Sequence, residues 1–379
     1  MAERDGIVAR IGNGVSSFAP ADWDACAGTA NPFLSHAFLS ALEDSGSVGA
    51  ASGWQPLPIS VDGADGHPAA VLPAYAKSHS QGEYVFDHVW ADAYERAGGD
   101  YYPKLQIAVP FTPVPGRRLL TRDPRRGPAL IAAAEAVVAN NGLSSAHATF
   151  IDQSEVAPFE RARWLIRTDR QFHWHNDGYA RFDDFLAALS SRKRKAIRKE
   201  REVAARGLVI EQVEGPAISE AHWDAFWAFY QDTGERKWGR PYLTRRAFAL
   251  LSERTADKIL LFLAHRDGAP IAGALNFIGA DTLYGRYWGA VEDVPCLHFE
   301  LCYYQAIEAA IDRGLSRVEA GAQGEHKLAR GYRPVPTFSA HFIAHPGLRG
   351  AVAHYLETER LAVAQNIEFL GEMTPFRRE

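Results

Sequence analysis

Cysteine is scarce in this chain. Its 379 residues hold three, Cys26, Cys296 and Cys302, too few and too scattered for a disulfide framework or a four-ligand zinc site. Reduced thiols in a cytosolic protein follow, with Cys302 expected to be buried in a helix. Methionine is scarcer still, at two residues, so nothing hints at a soft, adaptable lipid tunnel built from thioethers. Positive charge is not in excess: 41 Lys and Arg stand against 46 Asp and Glu, a net charge of −5. No global field draws in a polyanion, and DNA is not an expected partner. Any contact with an anion must come from a local patch. Long apolar runs are missing too. The longest, Ala129 to Ala139, is about half the length of a membrane span and contains Glu135. Met1-Ala2-Glu3-Arg4-Asp5 lacks the basic and then apolar profile of a secretion signal. The expected location is the cytoplasm, with peripheral contact at the inner face of the cytoplasmic membrane as the closest approach to lipid. The Gly-x-Ser-x-Gly elbow, the Walker loop and the dinucleotide fingerprint are also absent.

What the chain does contain suits a well-packed globular protein: 47% hydrophobic, 11% aromatic and 23% charged residues. At roughly 150 residues per domain, two or three domains are expected. The 32 glycines and 21 prolines imply frequent turns, which favours α/β or α+β over a helical bundle.

An internal repeat organises the pattern. Asp65-Gly66 and Asp267-Gly268 each lie between apolar, strand-like runs, a strong hairpin signal. Further on, helical stretches Leu130 to Asn141 and Cys302 to Arg313 end in Gly142-Leu143-Ser144 and Gly314-Leu315-Ser316, and each runs into an apolar strand. Those two glycines stand where a helix needs a left-handed C-terminal cap. The first match is offset by 202 residues and the second by 172. The first copy therefore carries an insertion of about 30 residues, placed at 79–108. Each copy reads hairpin, further strand, helix, strand, which predicts gene duplication. The expected domains are 1–160 with the insertion, 161–350 including a basic helix at 191–201, and 351–379 as a C-terminal helix and tail. The linker between copies is expected around Ser154 to Arg170, and Arg377-Arg378-Glu379 is expected to fray.

Four places could carry chemistry. Glu325, His326 and Lys327 follow one another behind a strand end flanked by Gly321 and Gly324. Strand ends are where α/β folds present ligand groups. Glu325 or His326 could accept a proton, while Lys327 or Arg330 could hold an anion; a solvated turn is the alternative. The insertion is dense in ionisable and aromatic groups, among them Glu83, Asp87, His88, Trp90, Tyr101, Tyr102 and Lys104, the usual lining of a small-molecule pocket. The alternative is that they pack the insertion onto the body. Phe172-His173-Trp174-His175-Asn176 places two histidines on one face of a strand. No convincing third ligand is visible, so no metal is expected; His173, Trp174 and Asn176 are candidates for touching substrate, as are His298 and Glu300 at the start of the second copy's helix.

Seven Lys or Arg fall within Ser191 to Arg201, with Ala196 and Ile197 as a thin apolar seam. Arg194 and Arg198 could grip phosphates there, and so could Arg125 and Arg126 ahead of Pro128 at a helix start. A solvated face is the default reading of such a charge run.

Several stretches together resemble the FemAB-like branch of the GNAT acyltransferase superfamily. They are Asn31-Pro32-Phe33-Leu34-Ser35, Gly82-Glu83-Tyr84 through Asp87-His88, Tyr101-Tyr102-Pro103-Lys104-Leu105, Val109-Pro110-Phe111-Thr112-Pro113-Val114, and Phe172-His173-Trp174 with Asn176. The most specific is Gln323-Gly324-Glu325-His326-Lys327 with Arg330-Gly331. The likeness covers about residues 30 to 345. It implies two tandem GNAT-like domains of α/β (α+β) class and transfer of an acyl group to a primary amine. Acyl-CoA and aminoacyl-tRNA both serve as donors in such relatives, and some similar bacterial members are thought to N-acylate long-chain amino alcohols to give ceramides. The sequence departs from the GNAT pyrophosphate loop, Arg/Gln-x-x-Gly-x-Gly/Ala. Its first copy offers Arg126-Gly127-Pro128-Ala129 with Pro124 at the Arg/Gln position, and its second has no glycine-rich stretch before Leu297.

The resulting expectation is acyl transfer from a thioester to a lipid or small-molecule amine, with Glu325 or His326 as base and Lys327, Arg330 and the basic helix near the donor. The alternatives are a tRNA-dependent Fem-type transferase acting on a peptidoglycan precursor, and a non-catalytic protein that binds an envelope component.

Overall fold

Both Asp-Gly turns and both glycine caps are points of chain reversal in the computed structural model, which describes residues 8–238, 241–321 and 324–377. Ala322 and Gln323, at the head of the glycine-flanked motif, and Arg378 and Glu379 of the tail lie outside the described residues. Along the chain the strands are β1 (Ala9–Ile11), β2 (Trp54–Pro56), β3 (Ile59–Asp62), β4 (Pro68–Leu72), β5 (Ala74–Lys77), β6 (Lys104–Ile107), β7 (Leu120–Thr121), β8 (Ser145–Ile151), β9 (Leu165–His175), β10 (Val209–Glu214), β11 (Ile259–Arg266), β12 (Ala269–Ile278), β13 (Thr282–Ala290), β14 (Arg317–Glu319) and β15 (Arg333–Ile343). The helices are α1 (Pro20–Ala27), α2 (His36–Asp44), α3 (His88–Arg96), α4 (Gly127–Asn140), α5 (Gln153–Arg161), α6 (Phe182–Ala188), α7 (Ser191–Ala204), α8 (Glu220–Trp238), α9 (Arg245–Thr255), α10 (Leu297–Phe299), α11 (Gln305–Asp312) and α12 (Pro346–Glu372). A π-helical turn, Glu300–Tyr304, joins α10 to α11.

The chain divides into two compact units, each discontinuous in sequence. The first is Met1–Asp169 with Pro336–Ala364, and the second is Arg170–Val335 with Gln365–Glu379.

In the first unit one long hairpin is bent at Pro58 and Pro73, where proline has no N–H to give to the ladder. Its outer half, β3 with β4, sits in a small sheet of order β1-β3-β4-β7, and its inner half, β2 with β5, joins the main sheet. There β5 pairs antiparallel with β6, β6 pairs parallel with β8, and residues 338–343 of β15 pair antiparallel with β8. A parallel pair needs a crossover, and α4 supplies it. Leu130, Ala134 and Val138 of that helix bury against Leu105, Ile107, Ala146 and Ala148.

The second unit repeats the plan. Strand β11 pairs with β12, β12 antiparallel with β13, β13 parallel with β14, and residues 173–175 of β9 antiparallel with β14. Helices α10 and α11, with the π-helical turn between them, make the crossover, packing Leu301, Ile307 and Ala310 on Leu283, Val318 and Trp174. The caps match as well. Gly142 and Gly314 take φ of 62° and 66°, and the next residue closes the helix in both copies, Leu143 N–H to Val138 O at 3.0 Å and Leu315 N–H to Ala310 O at 2.8 Å. The two-copy α/β architecture is as expected.

Three local expectations need correction. The stretch from Ser154 to Arg170 does carry the chain from one unit to the other, between Asp169 and Arg170, but it is folded throughout: Asp152 caps α5 by accepting from Ser154 N–H, and the chain then enters β9. On α7 the buried seam is Ile197 with Ala204, while Ala196 is exposed, because spacing of seven residues, not adjacency, keeps one helical face inward. Cys302 is half-buried, not buried.

Candidate active site

In the first unit the insertion folds into α3 and seals a buried charge network over the main sheet. Lys104, on β6, is wholly buried and donates to Glu83 Oε2 and Ser80 Oγ, both at 2.7 Å, and to Asp87 Oδ2. Tyr101 donates its hydroxyl to Asp87 at 2.7 Å, and Tyr102 bonds Ser80 at 2.8 Å. Burial penalises the ammonium of Lys104, but the two carboxylates outweigh it and raise its pKa. Burial also pushes Glu83 up to about 7 against the pull of Lys104. Asp87 meets the same burial, yet Lys104 holds it well below the usual carboxylate range. Lys77 is driven down to about 7 by burial, with Glu83 opposing.

The structure therefore brings Glu83, Asp87, Tyr101, Tyr102 and Lys104 together and leaves His88 apart, exposed on α3 beside Phe86. It also adds residues that the sequence reading missed. His147 of β8 and His341 of β15 are register partners with Nδ1 atoms 2.7 Å apart. Ser145 and Ser339 hold their outer nitrogens at 2.8 and 2.9 Å. Trp90 of α3 lies edge-on to His341. Arg125 and Arg126 stand at the start of α4, where Arg125 is exposed and paired with Asp123 at 2.9 Å.

In the second unit Gly324–Gly331 brackets a short 3₁₀ helix, Glu325–Arg330. Glu325 is exposed, 3.5 Å from Arg170. His326 is exposed too, on an aromatic shelf of His298, Phe299 and Tyr303, and its Nε2 is 2.7 Å from the Tyr303 hydroxyl. Lys327 is fully buried and donates to Gly321 O at 2.8 Å, so it does not reach out to phosphates as the sequence reading expected. Burial lowers its pKa to about 7. Arg330 stacks on Phe299, with its guanidinium carbon 3.4 Å from the ring centroid, and pairs with Glu200 of α7 at 2.9 Å. Glu300 is buried and accepts from Arg201 at 2.9 Å and from Gln305 at 2.8 Å. Thus His298, Glu300, His326 and Arg330 gather beside the basic helix, whose Arg198 is exposed and Arg194 half-buried.

His173 and Trp174 point to opposite faces of β9, as alternation demands. Trp174 packs on Phe185 in the core, and Asn176 closes a turn by accepting from Gly178 and Tyr179 N–H. His173 instead faces Glu319, the last residue of β14, with Nδ1 3.8 Å from Oε1. At that point the strands part: β13 and β14 are paired only from Thr282–Tyr284 to Arg317–Glu319, and β13 runs on past a register shift that skips Arg286.

Paired strands joined by a crossover helix, twice over, with polar groups at a strand fork, define a duplicated α/β scaffold. The family model for FemAB-like proteins, described as peptidoglycan biosynthesis/recognition, matches residues 14–378, and the chain belongs to that family. Its fold is similar to the crystal structure of FemX at 12% identity, with 89% of this chain and 98% of that one covered and a TM-score of 0.55. It is also similar to the C-terminal domain of a putative lysylphosphatidylglycerol synthetase from Agrobacterium fabrum, at 10% identity, 89% and 96% coverage and a TM-score of 0.53. L-PGS from Bacillus licheniformis matches at 12% identity, 92% and 98% coverage and a TM-score of 0.50. At these identities the likeness is one of fold. No match was found among curated protein sequences. Family membership supports a transferase acting in peptidoglycan or envelope biosynthesis. Among the described residues no helix is long and apolar enough to cross a membrane.

Proposed function

We propose that the protein transfers an acyl group from acyl-coenzyme A to a primary amine, with a long-chain amino alcohol as acceptor, in envelope lipid synthesis at the inner face of the cytoplasmic membrane. Family membership supports the transferase part of this reading. The observation that carries acyl transfer is the strand fork of the second unit with the bulge at Arg286. A bulge breaks the regular register of the ladder beside the fork, and acyl transfer needs backbone N–H groups directed at the oxyanion of its tetrahedral intermediate. In this reading the amine nitrogen attacks the thioester carbonyl carbon, the C–S bond breaks, and the coenzyme leaves as a thiol. Arg194 and Arg198 of α7, with the exposed His326 at its flank, hold the donor. No metal takes part in this scheme.

The test is release of free thiol from palmitoyl-coenzyme A, with and without a long-chain 2-amino alcohol, in the presence of ribonuclease. Amine-dependent release together with an N-acyl product by mass spectrometry is the expected result. A reaction that needs charged tRNA and stops with ribonuclease establishes the second reading instead, Fem-type transfer to a peptidoglycan precursor. The exposed cations Arg192, Lys195, Arg198 and Lys199 of α7 favour that alternative. Binding of an envelope component with turnover from neither donor marks the non-catalytic reading.

A further inference from the structure

We infer that Glu319, backed by His173, takes the proton from the acceptor amine, and that only the second of the two copies performs this step. The inference rests on the acyl-transfer reading above and is drawn from comparing the copies residue by residue.

The offset of 172 that relates Gly142 to Gly314 also relates His147 to Glu319 and Ser145 to Arg317. Each of these residues lies opposite a histidine on an antiparallel neighbour: His147 opposite His341, Glu319 opposite His173. Two residues before each of those histidines, on the same face, a side chain bonds its Nε2, Ser339 at 2.9 Å and Gln171 at 3.2 Å. The same polar station has therefore been built twice.

The stations have diverged in what they leave open. In the first copy every ring nitrogen of His147 is engaged, by His341, Ser145 and Tyr101, and α3 with the Lys104 network closes over it. In the second copy Glu319 is 4% exposed, and its Oε2 has no hydrogen-bond partner among the described residues. A buried carboxylate oxygen left without a donor costs free energy, and an ammonium group is a donor of the right charge. The Gln171 side-chain oxygen can only accept, so Nε2 of His173 carries the hydrogen and Nδ1 presents a lone pair toward Glu319. At 3.8 Å that lone pair backs Glu319 without a hydrogen bond to it.

The groups around Glu319 are Arg317 on its own strand, 3.3 Å away, Tyr284 and Arg286 on β13, Asp281 before it, and His173 on β9, which itself faces Arg317, His175 and Lys327. Burial raises the Glu319 carboxyl to about 7, with Arg317 opposing, which suits a base working at neutral pH. In the step itself the alkylammonium gives one proton to the Glu319 carboxylate, which releases it to solvent once the amide has left. The neutral amine attacks, its second proton goes to the departing sulfur, and the amide keeps the third.

The experiment pairs kinetics with a titration that needs no turnover. Glu319→Gln is expected to lower turnover at least about a hundredfold, the usual scale of a lost general base, with the KM for palmitoyl-coenzyme A unchanged. Glu319→Asp and His173→Asn are expected to lower turnover less than Glu319→Gln does, by several-fold, and to shift the acid limb of the pH profile. An unaltered acid limb in Glu319→Gln overturns the inference. Infrared difference spectra of wild type against Glu319→Gln follow the carboxyl directly between about pH 5 and 9. A carboxylic acid that ionises near neutrality, and at lower pH once dodecylamine is added, upholds it. A carboxylate ionised throughout that range overturns it. Should wild type transfer nothing, the acyl-transfer reading fails on its own while the spectra still decide the role of Glu319.

Discussion

Single residues show why burial and charge must be read together. Lys104, Glu83 and Asp87 survive in the interior because each satisfies the others, and such a set is far costlier to break than to replace whole. Lys104→Met is expected to destabilise the protein by about 3–5 kcal/mol, since it leaves two buried carboxylates without their cation; equilibrium denaturation checks this. The histidine pair gives a second expectation. Burial, then Lys104, holds His147 at about 3 against an ordinary 6.5, and His341 is held low as well. A base whose folded pKa is depressed contributes stability that is whole above about pH 6.5 and drains as pH falls toward 3. Unfolding midpoints measured across that window should fall in wild type, and the slope should lessen in the His147→Asn, His341→Asn double variant. An unchanged slope would exonerate the pair. The insertion's ionisable cluster was legible because its density is unusual in any loop. His147 and His341 were not, since Ser-Ala-His-Ala-Thr and Ser-Ala-His-Phe read as ordinary strand, and their meaning lies in each other.

Elements were legible where their signals are local. An Asp-Gly between apolar runs and a glycine after a helix each need only a few neighbouring residues, so both hairpins, both crossover helices and the duplication could be read directly. The strand partners could not. His147 and His341 are 194 residues apart, and a pairing over that distance leaves no periodic trace in either strand. Helix α7 illustrates a middle case: its charge was plain, but which residues are covered depended on neighbours. Arg201 is tied to Glu300 and Glu308, Arg198 to Asp183 and Lys199 to Glu202, so its free cationic surface is smaller than the count of basic residues implies. Reversing two of the exposed or half-exposed charges, Arg194→Glu with Arg198→Glu, is expected to weaken acyl-coenzyme A binding several-fold at low salt. The loss should shrink as ionic strength rises and the Debye length falls below about 8 Å. Calorimetric titration at two salt concentrations measures it, and a salt-independent loss would point to a disturbed fold instead.

At the scale of the molecule, the order of pairing departs from the order of synthesis. Strand β8 lies in the first unit, yet its neighbour on one side comes from residues 338–343, near the other end of the chain. The cluster of Trp90, Tyr101, Leu348, Val352 and Leu356 likewise needs the first turns of α12. A fragment of residues 1–169 therefore lacks an edge of its main sheet, the histidine that pairs with His147 and the helix face that covers Trp90. Its β8 edge would offer unpaired N–H and C=O groups to any other strand, a recognised route to aggregation. That fragment expressed alone is expected to aggregate or unfold without cooperativity, whereas the whole chain unfolds cooperatively. A chimera in which a glycine–serine linker joins residues 1–169 directly to 336–364 should recover a sigmoidal thermal transition, because it restores every element of the first unit. If residues 1–169 alone melt as sharply as that chimera, the late-arriving strand is dispensable and the first unit is complete without it.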